Sequence, residues 1–245
     1  MLRVPDTKLR NMALFLDIDG TLLDIATRPG SVGIPQGLDD TLARLFDRTG
    51  GAVALVTGRA LVDVDRLFAG LVLPAAGQHG AELRDARGRI SRFGVARDAL
   101  DRVRAAIAAE FDADARIVIE DKGMSLALHY RQARERSAEA AALASDLVAR
   151  EPDLDLIPGP AAIEIKPRGV SKGTAVERFM SEAPFRGRLP TFIGDDLTDE
   201  DGFAVASRLG GYAIRIGAAP SATAPWFISS PVDLRAWLAE LAGGT

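Results

Sequence analysis

Cysteine is absent from all 245 residues, and histidine, tryptophan and tyrosine occur twice each. Without a thiol there is no zinc–thiolate centre, no cysteine nucleophile and no disulfide framework. An excess of one charge is lacking too. The 30 Lys and Arg against 34 Asp and Glu leave a formal net charge of −4, too mild to suggest a nucleic-acid partner. No stretch reaches the roughly 18 apolar residues of a membrane-spanning helix. The first residues, MLRVPDTKLRNMALFLDIDG, place Arg and Lys before an apolar run, the order of a secretory signal. That run is only a few residues long and ends in two aspartates, so it reads as a buried strand. There is no internal repeat, no low-complexity segment, and neither a G-x-x-x-x-G-K-S/T loop nor a G-x-G-x-x-G turn for a nucleotide. A soluble cytoplasmic protein is the expectation.

What is present is apolar residues, 47% of the chain, enough for one large core or a core plus a smaller domain. Short apolar runs alternate with longer amphipathic stretches, the pattern of an α/β protein with a largely parallel sheet. After a first strand come a Pro- and Gly-rich loop, a helix over Leu38 to Arg48, the strand AVALVTGR and a short helix over Leu61 to Phe68. VLPAAGQHGAEL follows, in which Gly77 and Gly80 allow a tight turn. The middle changes character. Hairpin-like strands AELRD and RISRF precede a helix over Arg97 to Phe111, strands ARIVIED and MSLALHYR, a helix over Arg134 to Ala149, and strands LDLIP and AIEIK. This resembles a self-contained α+β unit. The tail returns to the opening pattern, with a helix over Ser171 to Ser181, strands LPTFIG and GYAIRIG, and a last helix ending near Leu241. The expectation is an α/β core, residues 1–78 and 170–245, split by an inserted α+β domain, residues 79–169.

Three apolar runs end in polar clusters: LFLDIDGT, ALVTGR and TFIGDDLTDED. In an open parallel sheet ligands sit beyond the carboxyl ends of the strands, so these clusters can meet although far apart in sequence. Convergence would gather Asp17, Asp19, Thr57, Arg59, Asp195, Asp196 and Asp199. That many carboxylates need a hard cation, and with no Cys and only two His the candidate is Mg²⁺. If the first run is a strand, Asp17 and Asp19 alternate onto one face and repel each other unless one is protonated or a cation lies between them. Each cluster alone has a plainer reading: Asp-x-Asp-Gly-Thr as a capped turn, and DDLTDED as a solvated helix start.

Asp17-Ile18-Asp19-Gly20-Thr21, Thr57, Lys172, and Gly194-Asp195-Asp196 with Asp199 resemble, in order and spacing, the four motifs of the haloacid dehalogenase superfamily. More narrowly the chain resembles the trehalose-6-phosphate phosphatases. The likeness rests on Thr57-Gly58-Arg59, Gly77-Gln78-His79-Gly80, Lys122-Gly123-Met124, Leu128-His129-Tyr130-Arg131, Glu164-Ile165-Lys166-Pro167-Arg168-Gly169, Ser171-Lys172-Gly173 and Gly194-Asp195-Asp196-Leu197-Thr198-Asp199-Glu200. The resemblance implies a doubly wound, mostly parallel, Rossmann-type core carrying an α+β cap that sets substrate specificity. It implies Asp17 as nucleophile, Asp19 as acid and base, and Thr57 and Lys172 as phosphoryl ligands. Mg²⁺ would be held by Asp17, Asp195 and the Asp19 main-chain carbonyl, with Asp199 orienting that shell and Asp196 doing either. Lys122, His129, Arg131, Glu164 and Lys166, with Arg59 from the core, are implied for the sugar. His129 can equally be a packed histidine, Arg131 and Arg168 surface charges, and His79 a turn residue. The implied reaction is hydrolysis of trehalose 6-phosphate, with a trehalose-6-phosphate synthase as functional partner. The alternatives are another substrate, such as sucrose 6-phosphate, or a module that keeps a phosphoryl group as receiver domains do.

Overall fold

The apolar run Met12–Leu16 is a strand buried along its whole length, and the main sheet is built outward from it. The computed structural model describes residues 2–3, 8–24, 33–94, 96–111, 113–159, 161–217 and 219–243. The Pro- and Gly-rich loop expected after the first strand lies, over residues 25–32, outside these. In chain order the elements are β1 (Leu2–Arg3), β2 (Met12–Leu16), α1 (Leu38–Arg48), β3 (Val53–Val56), α2 (Leu61–Leu67), β4 (Ala75–Gly77), β5 (Glu82–Arg84) and β6 (Ile90–Arg92). Next come α3 (Arg97–Phe111), β7 (Val118–Asp121), β8 (Leu126–His129), α4 (Ser137–Val148), β9 (Leu154–Pro158) and β10 (Ala162–Pro167). The chain closes with α5 (Lys172–Met180), β11 (Leu189–Gly194), α6 (Glu200–Arg208), β12 (Tyr212–Ile216), β13 (Trp226–Ile228) and α7 (Pro231–Gly243).

Two compact units result, one of residues 1–91 and 171–245, the other of residues 92–170. The first holds a sheet in the order β1-β13-β12-β11-β2-β3-β4-β5-β6. Strands β13 to β4 run parallel, and β1 and β5 pair antiparallel at the two sides. Alternation along β2 serves both faces of this sheet. Met12, Leu14 and Leu16 join an apolar cluster with Leu42 and Leu45 of α1 and Leu234 and Leu238 of α7. Phe15 lies on the opposite side, with ring centroids 5.9 Å from Phe179 and 5.5 Å from Phe185, and Phe192 meets Phe203 of α6 edge-on at 5.6 Å. The core is therefore a doubly wound α/β fold, as expected. From β2 the chain proceeds to β3 and β4 on one side and later returns through β11, β12 and β13 on the other. The strand order therefore reverses between β2 and β11, where such sheets leave a crevice beyond the strand ends.

The second unit is a four-stranded antiparallel sheet, β7-β8-β10-β9. Leu126, Leu128, Ile163 and Ile165 pack from one of its faces against Leu100, Val103 and Ile107 of α3 and Ala140 and Ala144 of α4. One expected boundary moves. The sequence places it after residue 78, but the division falls between Ser91 and Arg92. The reason is that Ala75, Ala76 and Gly77 pair with Arg84, Leu83 and Glu82, so the AELRD and RISRF strands extend the core sheet. Among the described residues no helix is long and apolar enough to cross a membrane.

Candidate active site

Asp17 follows the last residue of β2 and is tied to the neighbouring strand, its amide donating to Ile193 O at 3.0 Å. Its carboxylate is buried, and Oδ1 accepts from Lys172 Nζ at 2.8 Å. Lys172 is the first residue of α5, whose start is set by a reciprocal cap: Thr174 N donates to Ser171 Oγ and Ser171 N to Thr174 Oγ1. The same ammonium donates to Asp199 Oδ1 at 2.7 Å and lies 3.9 Å from Asp196 Oδ1. Burial alone would lower the Lys172 pKa. The charges of Asp17, Asp199 and Asp196 outweigh it and hold the ammonium protonated well above its ordinary range.

Asp195 continues β11, and two small residues of the first loop make room for it. A Cβ on Gly20 would stand 2.2 Å from Asp195 Oδ2, and Gly20 has φ +81°. Thr21 donates from Oγ1 to Asp195 Oδ1 at 3.1 Å. Asp199 is fully buried, and both its oxygens are committed: Oδ1 to Lys172, Oδ2 to the amides of Asp195 and Asp196 at 3.0 and 3.1 Å. Asp196 Oδ1 accepts from the amide and hydroxyl of Thr198, capping the turn that leads into α6.

Carboxylate oxygens of Asp17, Asp195 and Asp199 lie within 4.8 Å of one another. An all-oxygen set of this kind suits a hard divalent cation. Burial pushes Asp17 up to about 6, against the pull of Lys172, and the neighbouring Asp195 and Asp196 add repulsion. Burial likewise pushes Asp195 up to about 6, reinforced by Asp199 and Asp196. A cation between them would relieve both causes. Asp199, pushed up to about 8 by burial against the pull of Lys172, has no oxygen left uncommitted and so fits orienting the loop better than ligation.

Asp19 stands apart from this cluster. β2 ends at Leu16, so strand alternation does not carry as far as Asp19, whose half-exposed carboxylate is gripped by Arg59: Nε to Oδ2 at 2.7 Å and Nη2 to Oδ1 at 2.5 Å. Thr57, buried after β3, accepts the Arg59 amide on Oγ1 at 3.2 Å. His79 is buried in the Gln78–Gly80 turn, its Nε2 against Gly58.

In the second unit the antiparallel register aligns Glu120 with Ala127 and Ala127 with Glu164. The period of two then puts Glu120, Lys122, Ser125, His129, Glu164 and Lys166 on the sheet face opposite the apolar cluster. Lys122 Nζ donates to Glu164 Oε1 at 3.2 Å, as does Ser125 Oγ at 3.1 Å. His129 is paired rather than packed, with Nε2 2.8 Å from Glu120 Oε2, and that hydrogen bond is the main reason the Glu120 carboxyl is held below its usual range. Lys166 is buried and donates to Val170 O. Arg131, one residue beyond Tyr130, is exposed, and Arg168 pairs with Asp155 at 2.9 Å. Glu120 and Ser125 escaped the sequence reading. Their signal was two-residue alternation with Lys122 and with His129.

A family model described as Trehalose-phosphatase matches residues 15–231. A Sinorhizobium fredii (strain NBRC 101917 / NGR234) protein named "Probable trehalose-phosphate phosphatase" is 44% identical over 238 residues, 96% of this chain and 89% of its own length. The Escherichia coli (strain K12) "Trehalose-6-phosphate phosphatase" is 42% identical over 230 residues, 92% of this chain and 85% of its own. The structure of the C. albicans trehalose-6-phosphate phosphatase C-terminal domain superposes with a TM-score of 0.83, covering 96% of this chain and 93% of that one. At 22% identity that likeness speaks for the fold alone.

Proposed function

The chain belongs to the trehalose-phosphatase family, and from that footing we propose that it hydrolyses trehalose 6-phosphate to trehalose and inorganic phosphate through an aspartyl-phosphate. The observation that carries the reading is the buried Asp17 at the sheet's point of reversal, fixed by Lys172 through one carboxylate oxygen. We assign the other oxygen, Oδ2, to attack on phosphorus. As the Oδ2–P bond forms and the P–O bond to the sugar breaks, the electron pair leaves with the sugar oxygen, which takes a proton from Asp19. In the second half a water attacks phosphorus and gives its proton back to Asp19. The P–Oδ2 bond then breaks, releasing phosphate and restoring the Asp17 carboxylate.

Lys172 and Thr57 are assigned to the phosphoryl oxygens. Thr57 Oγ1 accepts the Arg59 amide and so keeps its own O–H to donate. Lys172 brings the positive charge that a crowd of carboxylates would otherwise deny an incoming phosphate. Asp17, Asp195 and the Asp19 main-chain carbonyl are the groups we assign to Mg²⁺. When bound, the ion draws charge from the transferring phosphoryl group. Recognition of the sugar is assigned to Lys122, His129, Arg131, Glu164 and Lys166, with Glu120 and Ser125 added from the same sheet face. A disaccharide presents hydroxyls that both donate and accept, and this face carries ammonium, carboxylate, hydroxyl and imidazole groups. The assignment includes a cytoplasmic location and a trehalose-6-phosphate synthase that supplies the substrate.

The test is phosphate release from trehalose 6-phosphate, sucrose 6-phosphate and glucose 6-phosphate, with Mg²⁺ and with EDTA. Trehalose 6-phosphate should be preferred and EDTA should stop turnover, while Asp17→Asn should be folded and inactive. Preference for another sugar overturns the substrate. Stable phosphorylated protein without release of phosphate overturns the reaction.

A further inference from the structure

The pair between Arg59 and Asp19 is two-pronged: Nε on Oδ2 at 2.7 Å and Nη2 on Oδ1 at 2.5 Å. A fork on both oxygens fixes the plane of a carboxyl group, where a point charge would leave it free to rotate. The main chain of Arg59 is held as tightly. Its amide donates to Thr57 Oγ1, its carbonyl accepts from Gln78 N at 2.8 Å, and His79 N donates to Thr57 O at 3.0 Å. Space is closed around these bonds. A Cβ on Gly58 would stand 2.7 Å from His79 Nε2, and one on Gly77 2.8 Å from Arg59 O.

Gln78 and His79, at φ 47° and 57°, are the only non-glycine residues with positive φ among those described. Left-handed backbone is unfavourable for an ordinary residue, and two in succession mark a turn whose shape is imposed by its surroundings. The Arg59 and Asp19 side chains are 27% and 44% exposed, and a pair so open to water adds little to stability. The strained turn lies where its amides hold the main chain of Thr57 and Arg59, and the Arg59 guanidinium grips the group assigned to proton transfer.

We propose that Arg59 is the positioning residue for Asp19: its fork, aimed by the strained Gln78–His79 turn, fixes the direction in which the Asp19 carboxyl meets the leaving oxygen. This rests on the reading of Asp19 as acid and base, and it moves Arg59 from the sugar-binding set to the proton-transfer machinery. The proton passes from Asp19 to the sugar oxygen as that oxygen's bond to phosphorus breaks. A carboxyl turned away leaves an alkoxide to depart unaided. A sugar alkoxide is a poor leaving group and depends on that proton, whereas p-nitrophenolate leaves readily without it. Substrate choice thus separates positioning of the acid from binding of the phosphoryl group.

The experiment compares unsubstituted protein, Arg59→Lys, Asp19→Asn and the double variant on two substrates: p-nitrophenyl phosphate and the sugar phosphate that the unsubstituted protein turns over best. Circular dichroism melts check that each is folded. Arg59→Lys keeps the charge and loses the fork. It should cut kcat on the sugar phosphate by about 100-fold, with KM moved by less than about threefold and p-nitrophenyl phosphate slowed at least about tenfold less. The double variant should be no slower on the sugar than Asp19→Asn alone, because Arg59 acts only through Asp19. Equal losses on both substrates, a loss confined to KM, or additive losses in the double variant would each overturn the proposal. Preference for a sugar other than trehalose 6-phosphate sinks the substrate assignment and leaves this test intact, since it uses whichever sugar is preferred. Absence of any phosphatase activity overturns both.

Discussion

The two units hold oppositely charged groups at nearly the same distances for different ends. In the core, Lys172 sits 2.8 Å from Asp17 and 2.7 Å from Asp199, with all three side chains no more than 5% exposed. In the inserted unit, Arg102 meets Glu151 at 2.7 Å and Arg116 meets Glu135 at 2.7 Å, but Arg102 and Arg116 are 62% and 51% exposed. The decisive difference is exposure to water. Water already solvates the exposed ions, so pairing them gains little. The buried ions have lost that solvation and depend on one another, so removing one strands the rest. Between these extremes lies the polar sheet face, where Lys122 and Glu164 are each 16% exposed.

The contrast is broken most severely at its buried end. Lys172→Met leaves Asp17 and Asp199 facing each other without a cation, and urea unfolding should show a loss of about 3–5 kcal/mol, together with no measurable phosphate release. A near-normal midpoint would mean that the network is not stabilised by the ammonium.

Mg²⁺ sharpens the same point through pH. Asp17 and Asp195 are both pushed up to about 6, above the unfolded value, so in the metal-free fold their ionised forms are a cost that persists above that pH. Either a cation or a proton removes it. The rise in Tm on adding Mg²⁺ should therefore be largest above pH 6 and shrink as pH falls through 6 and protons displace the ion. A rise independent of pH between 5 and 8, measured by scanning calorimetry, would remove these carboxylates from the metal site. At the other end of the scale, Arg102→Ala breaks an exposed pair and should leave both the urea midpoint and kcat unmoved. A clear loss of stability would show that the surface pairs of the inserted unit act as a network rather than singly.

Much of the core was legible because its signals are local. LFL before Asp17 and LPTFIG before Asp195 are short apolar runs that read as buried strands, and their polar ends mark the carboxyl ends of the sheet, beyond which a crevice opens where the strand order reverses. AELRD and RISRF read correctly as strands, but no local signal says which sheet a strand joins. Pairing of β5 with β4 is decided by where the β4 edge lies in space. Glu120 had the alternation to be noticed, yet its meaning came from a register across three strands. Arg59 is the sharpest case. Its charge and its place after a buried strand were visible, but its partner lies 40 residues upstream.

Residue type and spacing by themselves determined the fold class, the carboxylate-rich chemistry of the strand ends and the absence of thiol chemistry, because periodicity and composition act over a few residues at a time. Tertiary structure alone decided that Lys172 joins Asp17 to Asp199, that Asp199 spends both oxygens within the protein, and that Arg59 grips Asp19. Those are choices of partner among groups of like chemistry. Hydrogen bonds and ion pairs act over about 3 Å, so the choice waits until the sheet order and two strained residues have brought the atoms within reach.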